Sequence, residues 1–403
     1  MGRGGHRRWT YRILPEPTLS NELRRMSNAF SKGHCDGVLL QPSPLHEFRN
    51  QDRAYTESWP TPSGAWTFNA VFDGHVGHAT VDHAVASIPN MVRRSLQDYL
   101  HACRGAVSPD TISKILSDAI TTFDSALLAE FVALFPGGVA GLQRMSDSQI
   151  RWVLQNRPNA SQASIRCLHG STALLSLTDP TREHIWICNL GDCQAVLATR
   201  GATGRWQPAW LSTLHDGENA SELARIAREH PGERDALEHN RVIGFLGPTR
   251  SLGDAWLKLP AIYSQRVLAG LRDHWIVRQP ETYISRVRTP PYVSSTPDVV
   301  HLPLPRSAHG RRHALLLCSD GLPDLYEARF VSRQDMAAHW ARVIGGALDG
   351  GGGGSGSGGE TNAALALLRD ALGGSDIRAV SQNLTVEMEE RWMDDVTVLV
   401  QRL

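Results

Sequence analysis

The chain has 403 residues, of which 41% are hydrophobic and 20% are charged. This composition is ordinary for a globular protein and allows a sizeable core, in one large domain or two smaller ones. The 41 basic residues balance the 41 acidic ones, so no global field attracts nucleic acid. No run of about 18 apolar residues predicts a transmembrane segment.

The N-terminus is rich in arginine, and four arginines precede the first acidic residue, Glu16. Such a start is typical of mitochondrial targeting segments. The alternative is a basic tail without regular structure, which the sequence favours because Gly-Arg-Gly-Gly is a poor helix former. We therefore predict an irregular lead-in over residues 1–45, and both a mitochondrial and a cytoplasmic location stay open.

The six cysteines form no C-x-x-C pair, and most of them lie in or beside apolar stretches. This distribution favours reduced, packed thiols in an intracellular protein over a disulfide framework.

Strand and helix patterns alternate through the first half of the chain. An apolar run over 66–72, rich in aromatic and β-branched residues, predicts a strand that ends at Asp73-Gly74. Helical spacing follows over 85–100 and 109–127. Residues 135–168 have weak periodicity, and we interpret them as an insertion.

Strand patterns dominate the second half, at 171–178, 184–190, 193–199, 314–318 and 395–401. Gly191-Asp192 separates the second of these strands from the third and resembles a type II′ turn, with glycine first. It predicts that these two strands are antiparallel neighbours.

Helices are predicted at 220–230, 333–348 and 361–372. The tract 350–359 contains only glycine and serine, and we interpret it as a flexible linker within the domain. Strands interleaved with helix pairs indicate an α+β domain.

Three aspartates lie at predicted strand ends. Asp73 and Asp320 each follow a strand and precede a glycine, and Asp394 lies just before the strand that begins at 395. If the last strand is antiparallel to the other two, all three carboxylates meet at one edge of the sheet. A divalent cation would relieve their repulsion, and oxygen-only ligands favour Mg²⁺ or Mn²⁺.

Each of these aspartates also has a simpler interpretation, because a lone Asp-Gly after a strand is usually a turn. Asp52 is either a fourth member of the cluster or a solvated loop residue. His75 lies two residues after Asp73, where it either donates a proton to a leaving oxygen or hydrogen-bonds a metal-bound carboxylate.

Taken in order, these segments resemble the metal-dependent protein phosphatases of the 2C type. The hallmark Asp-Gly-His-x-Gly of that family matches residues 73–77. The resemblance covers roughly residues 46–403 and rests on seven segments: residues 50–52, 71–77, 170–173, 189–196, 249–254, 318–322 and 394–398.

The resemblance implies a four-layer αββα sandwich, in which two antiparallel sheets are flanked by helices. It also implies hydrolysis of phosphoserine and phosphothreonine in proteins by in-line attack of a metal-activated water. Two Mn²⁺ or Mg²⁺ ions would be the cofactors and His75 the proton donor. The implied metal-site residues are Asp52, which orients a metal-bound water, Asp73 as the bridge, the Gly74 carbonyl, Asp320 and Asp394.

Shorter motifs are similar to the pyruvate dehydrogenase phosphatase branch and its fungal relatives. They lie at residues 241–244, 248–250, 289–292 and 297–299. This similarity implies a phosphoprotein partner such as a mitochondrial dehydrogenase subunit.

The sequence also departs from the family pattern. Leu214 stands where the family has an aspartate that helps to hold a third metal, with Asp216 two residues later. Gln51 replaces a common glutamate. Glu47 replaces a phosphate-binding arginine, so that Arg49, with Arg53 as the alternative, becomes the predicted phosphate-binding residue.

These departures keep two other functions open. One is a catalytically weak protein that binds phosphoproteins, and the other is a phosphatase for small phosphorylated metabolites.

Overall fold

A computed structural model describes residues 9–43, 49–103, 106–271, 274–277, 279–304, 312–350, 361–388 and 390–403. The start of the arginine-rich segment and all but the first residue of the predicted linker 350–359 lie outside these ranges. Within them, no helix has the length and apolar sequence that a membrane crossing requires.

Strands occur throughout the described part of the chain. They are β1 (Phe30–Lys32), β2 (Cys35–Leu40), β3 (Arg53–Thr61), β4 (Gly64–Phe72), β5 (Gly74–His75), β6 (Gly170–Ser171), β7 (Ala173–Thr178), β8 (His184–Leu190), β9 (Gln194–Arg200), β10 (Trp206–Trp210), β11 (Leu237–Glu238), β12 (Arg241–Val242), β13 (Leu252–Gly253), β14 (Asp298–Pro303), β15 (His313–Cys318) and β16 (Val396–Arg402).

The helices lie between these strands and at both ends of the chain. They are α1 (Thr18–Met26), α2 (Ala79–Ala102), α3 (Pro109–Val132), α4 (Gly138–Arg144), α5 (Asp147–Asn156), α6 (Ala160–Leu168), α7 (Ala220–Glu229), α8 (Ala255–Lys258), α9 (Ala261–Arg266), α10 (Glu281–Ile284), α11 (Gly321–Asp324), α12 (Arg333–Gly350), α13 (Ala363–Leu372) and α14 (Ile377–Thr385), with a 3₁₀ turn at Leu268–Gly270.

Two large antiparallel sheets organise the chain. The six-stranded sheet has the order β1-β2-β16-β15-β9-β10, and the five-stranded sheet has the order β14-β8-β7-β4-β3. Short ladders, β13-β6-β5 and β11-β12, lie beside them. In the six-stranded sheet Val398 of β16 pairs with Val38 on one side and with Cys318 on the other.

The alternation of side chains along β4 explains how the sheets stack. Val71 belongs to an apolar layer between the two sheets, while Phe68 and Phe72 face the opposite side, towards the core formed with α2 and α3. This period of two is what a strand buried on both faces requires. The layer between the sheets also includes Leu174, Ile185, Ile187, Ala195, Leu197, Leu315, Leu317 and Leu399.

Helices cover the outer faces of both sheets. On the six-stranded sheet, Leu316 and Val398 pack with Trp340 of α12 and Leu367 of α13. On the five-stranded sheet, α2 and α3 contribute Ile88 and Ile120. The predicted four-layer αββα sandwich is therefore confirmed.

The predicted irregular lead-in over 1–45 is wrong where the structure describes regular elements. This segment contains α1, β1 and β2, and β2 pairs residue by residue with β16, for example Leu40 with Val396. The scattered prolines of this segment led to the wrong prediction. A strand such as β2 depends on its pairing with β16, and local sequence propensity does not reveal that pairing.

The predicted hairpin over 184–199 is also wrong. β8 lies between β14 and β7 in the five-stranded sheet, whereas β9 lies between β15 and β10 in the six-stranded sheet. Both edges of each strand are already paired, so residues 191–193 carry the chain from one sheet to the other instead of turning it back. The weakly periodic segment 135–168 forms α4, α5 and α6, and its description as an insertion remains a prediction.

All six cysteines lie in the described ranges and are free thiols, five of them buried. This agrees with the expectation that they form no disulfide framework.

A polar network crosses the otherwise apolar space between the sheets. Asn69 Nδ2 of β4 donates to Gln401 Oε1 of β16 at 2.8 Å, and Gln401 Nε2 donates to Thr178 Oγ1 of β7 at 3.2 Å. All three side chains are buried. Because unpaired polar groups are costly here, the network favours one alignment of the sheets over others.

We predict that Gln401→Met destabilises the fold by about 1–3 kcal/mol, because it removes partners of Asn69 and Thr178 without opening a large cavity. Urea unfolding measures the change, with Gln334→Met on the exposed face of α12 as the matched control. Equal stabilities of the two variants would contradict a role for the network.

Candidate metal centre

Three aspartate side chains converge at one end of the sandwich. Asp73 follows β4, Asp192 follows β8 and Asp320 follows β15, and one carboxylate oxygen from each lies within 4.8 Å of the other two. We call these residues the aspartate triad. Since β4 and β8 belong to the five-stranded sheet and β15 to the six-stranded sheet, the triad is formed only when the two sheets pack together.

Thr172 holds the strand ends of Asp73 and Asp192 in place. Its Oγ1 accepts from the Asp73 backbone N–H at 3.3 Å and lies 3.1 Å from Cys193 Sγ. Its own backbone N–H donates to the Asp73 carbonyl at 2.8 Å. The spacing of two triad members is thus fixed by a buried side chain that lies between them.

The turn before Asp192 is braced by His215. The Gly191 N–H donates to His215 Nδ1 at 3.1 Å, so the ring proton is on Nε2, which donates to Asp298 Oδ2 at 3.0 Å. Gly191 has φ +110° and a Cβ there would lie 2.5 Å from Thr172 Cγ2, so both conformation and space require glycine.

Ser319 joins Asp320 to the buried Asp52. Ser319 Oγ donates to Asp52 Oδ2 at 2.7 Å and accepts from the Thr397 N–H at 2.9 Å. Asp52 is 1% exposed, and its Oδ1 has no hydrogen-bond partner in the described ranges. The solvated-loop interpretation of Asp52 is therefore wrong, and its carboxylate lies beside the triad.

Asp395 organises the segment that carries Asp52. Its Oδ2 accepts from the Gln51 N–H at 2.7 Å, and its Oδ1 accepts from Gln41 Nε2 at 2.9 Å. Asp394, by contrast, is exposed at the rim, where Arg391 pairs with it. Asp394 is not one of the three residues whose oxygens converge, although its charge acts on Asp73 and Asp320.

Burial and mutual repulsion raise the pKa of every carboxyl group in the triad. For Asp73 burial acts first, followed by the charges of Asp320 and Asp52. For Asp320 burial is followed by the charge of Asp192. Burial, with smaller contributions from neighbouring acids, raises the pKa of Asp192 to about 7. Asp52 follows the same rule, with burial and then Asp395 as the causes of its raised pKa.

The donor set fits a hard divalent cation. Every donor is an oxygen, which suits Mg²⁺ or Mn²⁺ better than softer metals. The Oδ1 atoms of Asp52 and Asp192 are buried without a hydrogen-bond partner among the described residues. A cation coordinated there would satisfy these oxygens and remove the repulsion that raises the pKa values.

His75 is paired with a carboxylate outside the triad. Its Nε2 lies 2.8 Å from Asp254 Oδ2, and the Asp254 side chain is fully buried. Ser251 Oγ also donates to that oxygen, at 2.5 Å. Gly170 is required beside this pair, because a Cβ there would lie 2.0 Å from His75 Nε2. The described contacts of His75 therefore include no hydrogen bond to a carboxylate of the triad, which was the alternative role predicted for it.

Neither of the predicted phosphate-binding arginines makes a hydrogen bond or ion pair with the triad among the described residues. Arg49 is exposed and makes no hydrogen bond or ion pair with other described residues. Arg53 donates to Asp82 Oδ1 at 2.8 Å and to the carbonyls of Asn50 and Asp52. Glu47 lies outside the described residues.

The Leu214 and Asp216 side of the segment makes local contacts, and the charge of Asp216 acts on Asp192. The Leu214 carbonyl accepts from Asn219 Nδ2, and Asp216 Oδ1 accepts from the backbone N–H groups of Glu218 and Asn219 at 2.9 and 3.0 Å. The residue that lies beside Asp73 and Asp320 in the structure is Asp192.

One part of the strand-polarity argument is wrong. Asp73 and Asp320 do not share a sheet edge, because β4 and β15 lie in facing sheets. The argument holds for β15 and β16, which are antiparallel neighbours. Gly74 is packed against the segment before Asp52, since a Cβ there would lie 2.7 Å from the Gln51 carbonyl, and the role of its own carbonyl as a ligand stays a prediction.

Sequence reasoning missed Asp192 as a member of the aspartate triad. The signal was present, since Asp192, like Asp73 and Asp320, follows the end of a strand, but its Gly-Asp order was interpreted as a hairpin turn. Asp254 belongs to the segment 249–254 that resembles the family, but nothing in the sequence indicated that it pairs with His75.

Comparisons with known proteins agree with this geometry. The family model of protein phosphatase 2C matches residues 135–333. A protein phosphatase 2C homologue of Schizosaccharomyces pombe is 28% identical over 357 residues, which cover 84% of this chain and 73% of that protein. The chain is therefore similar to phosphatases of the 2C family over most of its length. Members of this family are serine/threonine phosphatases, which are hydrolases, and they use divalent metals.

Further phosphatases match parts or most of the chain. The mitochondrial pyruvate dehydrogenase (acetyl-transferring) phosphatase 1 of Saccharomyces cerevisiae is 27% identical over 64% of this chain, which corresponds to 42% of that protein. The solved serine-threonine phosphatase 2C of Toxoplasma gondii is 16% identical, with a TM-score of 0.55, and the match covers 93% of this chain and 96% of that one. The latter likeness shows the fold alone.

We predict that Asp192→Asn stabilises the metal-free phosphatase near pH 8, by roughly 2 °C in Tm or more. A carboxyl whose folded pKa is raised binds more protons in the native than in the unfolded state, so stability falls as pH rises from about 4 to 7. Asp192→Asn has no carboxyl group at this position, so its stability does not fall in this way as the pH rises. Its Tm therefore depends less on pH than that of the wild type.

Calorimetric scans between pH 5 and 8 measure this difference, with exposed Asp98→Asn as the control. Saturating Mn²⁺ should raise the Tm of the wild type more than that of Asp192→Asn. Equal pH slopes and equal Mn²⁺ shifts would contradict the place of Asp192 in the site.

Proposed function

We propose that the protein is a Mn²⁺- or Mg²⁺-dependent phosphoserine/phosphothreonine protein phosphatase. The observation that carries the proposal is the convergence of Asp73, Asp192 and Asp320 within 4.8 Å, from two facing sheets. Such a cluster is unfavourable without cations and suited to them when they bind.

Two divalent cations are the proposed cofactors. Bound at such a site, they lower the pKa of water and stabilise the charge that develops on the phosphoryl oxygens. Asp73 would bridge them, with the Gly74 carbonyl, Asp192, Asp320 and Asp394 as further ligands. Asp52, with its unpaired Oδ1, would accept a hydrogen bond from bound water.

His75 is the proposed proton donor to the leaving serine or threonine oxygen. Its Nε2 is held by Asp254, which leaves Nδ1 as the nitrogen that can face the substrate. When Nδ1 carries a proton, it can donate that proton to the leaving oxygen. The ring is 20% exposed, so that a substrate can reach it.

The choice of substrate protein is a further proposal. The similarity to pyruvate dehydrogenase phosphatases favours a phosphorylated mitochondrial dehydrogenase subunit, and with it a mitochondrial location. The chain spans less than half the length of these relatives, so this proposal reaches further than the proposed activity.

We predict that Asp73→Asn lowers hydrolysis of a phosphoserine peptide by at least about 10³-fold, because it removes the proposed bridge between the cations. The measurement is phosphate release across a Mn²⁺ titration, with Asp98→Asn as the control. A phosphoprotein and a sugar phosphate are compared as substrates.

Turnover by Asp73→Asn close to the wild-type rate would contradict the proposed bridge. Faster turnover of the sugar phosphate than of the phosphoprotein would favour a metabolite phosphatase. Binding of the peptide without turnover in millimolar Mn²⁺ would instead indicate a phosphoprotein-binding protein.

We predict that His75→Ala slows hydrolysis of the phosphoserine peptide by about 10²–10⁴-fold, because the serine oxygen needs a proton as it leaves. Hydrolysis of p-nitrophenyl phosphate should slow much less, because p-nitrophenolate is a stable anion. Steady-state kinetics on both substrates measures the contrast, with exposed His101→Ala as the control. Equal losses on both substrates would exclude His75 as the proton donor.

A further inference from the structure

We propose that Arg391 is the phosphate-binding residue of this phosphatase, and that its guanidinium holds the nonbridging oxygens of the substrate phosphoryl group. The proposal rests on the proposed function and adds to it the residue that grips the phosphate. It replaces the arginine that the sequence lacks at Glu47.

Arg391 lines a cavity beside the metal centre. The cavity has a volume of about 390 Å³, and one of the residues that line it is Gly321, which directly follows Asp320. It is lined by Gly321, Asp324, Leu325, Arg391, Trp392, Met393 and Asp394. A phosphorylated side chain that enters this cavity therefore meets the end of the β15 strand and the guanidinium together.

The guanidinium is held in a defined orientation. Its Nε donates to the Met393 carbonyl at 3.2 Å, and its Nη2 lies 2.5 Å from Asp394 Oδ1 and 3.0 Å from Asp395 Oδ2. The remaining nitrogen, Nη1, has no acceptor among the described residues, and 29% of the side chain is exposed. Nη1 therefore has two N–H groups available for an anion.

Asp395 connects Arg391 to the segment that carries Asp52. One oxygen, Asp395 Oδ2, accepts both from Arg391 and from the Gln51 N–H, at 3.0 and 2.7 Å. The family arginine belongs to that same segment, a few residues before Asp52. Arg391, from the other end of the chain, is thus joined through Asp395 to the segment that carries Asp52.

Charge balance shows why such a residue is needed. The four carboxylates of Asp52, Asp73, Asp192 and Asp320 together balance the charge of two divalent cations. Asp394 and Asp395 add two further negative charges. A phosphate monoester dianion would be repelled at such a site unless a further cation faced it. A guanidinium suits this task because its fork of N–H groups matches phosphate oxygens.

The other arginines of this region are less suitable. Arg53 is occupied by Asp82 and by the carbonyls of Asn50 and Asp52. Arg49 is near His78, whose pKa it helps to lower after the larger effects of burial and Arg53, and it makes no contact with the carboxylates in the described ranges. Arg391 differs from Arg53 because its Nη1 has no acceptor among the described residues, while its Nη2 joins it to Asp394 and Asp395.

The test measures phosphate affinity separately from metal affinity in Arg391→Met, Arg391→Lys and the exposed α2 control Arg94→Met. For each Mn²⁺-loaded protein, the inhibition constant of inorganic phosphate and the KM and kcat for a phosphoserine peptide are determined. Calorimetry without substrate gives the Mn²⁺ affinity, and a thermal scan checks folding.

Arg391→Met should weaken inhibition by phosphate and raise KM by about tenfold or more, as expected for a lost hydrogen bond to a charged group. The Mn²⁺ affinity should stay within about threefold of the wild type. Arg391→Lys should recover part of the loss, since the charge remains and the fork does not. Arg94→Met should match the wild type.

An unchanged phosphate inhibition constant in Arg391→Met would overturn the proposal. So would a loss that tracks a weaker Mn²⁺ affinity and disappears at saturating Mn²⁺, because Arg391 would then only position Asp394. If the wild type hydrolyses no phosphopeptide, the proposed function fails. Direct calorimetric binding of inorganic phosphate to the Mn²⁺-loaded protein still decides the role of Arg391, through its loss or retention in Arg391→Met.

Discussion

Repulsion among carboxylates that lie within 4.8 Å of one another is the constraint on which the rest of the molecule depends. The triad comes from strands of two facing sheets, so the apolar layer between the sheets must hold these charges together when no cation is bound. Burial raises the pKa values of the three aspartates, and the charges of neighbouring acids raise them further. Fold stability and cation binding are therefore linked through the same side chains.

The neighbours of the triad fix its geometry at little conformational cost. Thr172 and Ser319 are short, buried side chains that hydrogen-bond the strand ends on either side of the site. His215 supports the Asp192 turn from outside and is itself held by Asp298. Each aspartate of the triad thus has a supporting contact on a strand or on a braced turn, which keeps the carboxylate oxygens close together.

The sequence allowed the fold class and most of the regular elements to be predicted, because period-two and helical patterns are local. Asp73 and Asp320 were identified for the same reason, since each ends a readable strand. Which strands pair is a long-range property, and this is where the predictions failed: β2 pairs with β16 from the far end of the chain, and Gly191-Asp192 crosses between sheets. The pairing of His75 with Asp254 and the position of Arg391 depend on the same long-range folding.

The crossing at residues 191–193 has one more consequence. Because this link is only three residues long and carries Asp192, the distance between the sheets and the distance between the ligand oxygens cannot change independently. Larger side chains at Val71 or Leu317, both in the layer between the sheets, would thicken that layer and widen the ring of oxygens. The packing of this apolar layer therefore constrains how far apart the oxygens of the triad lie.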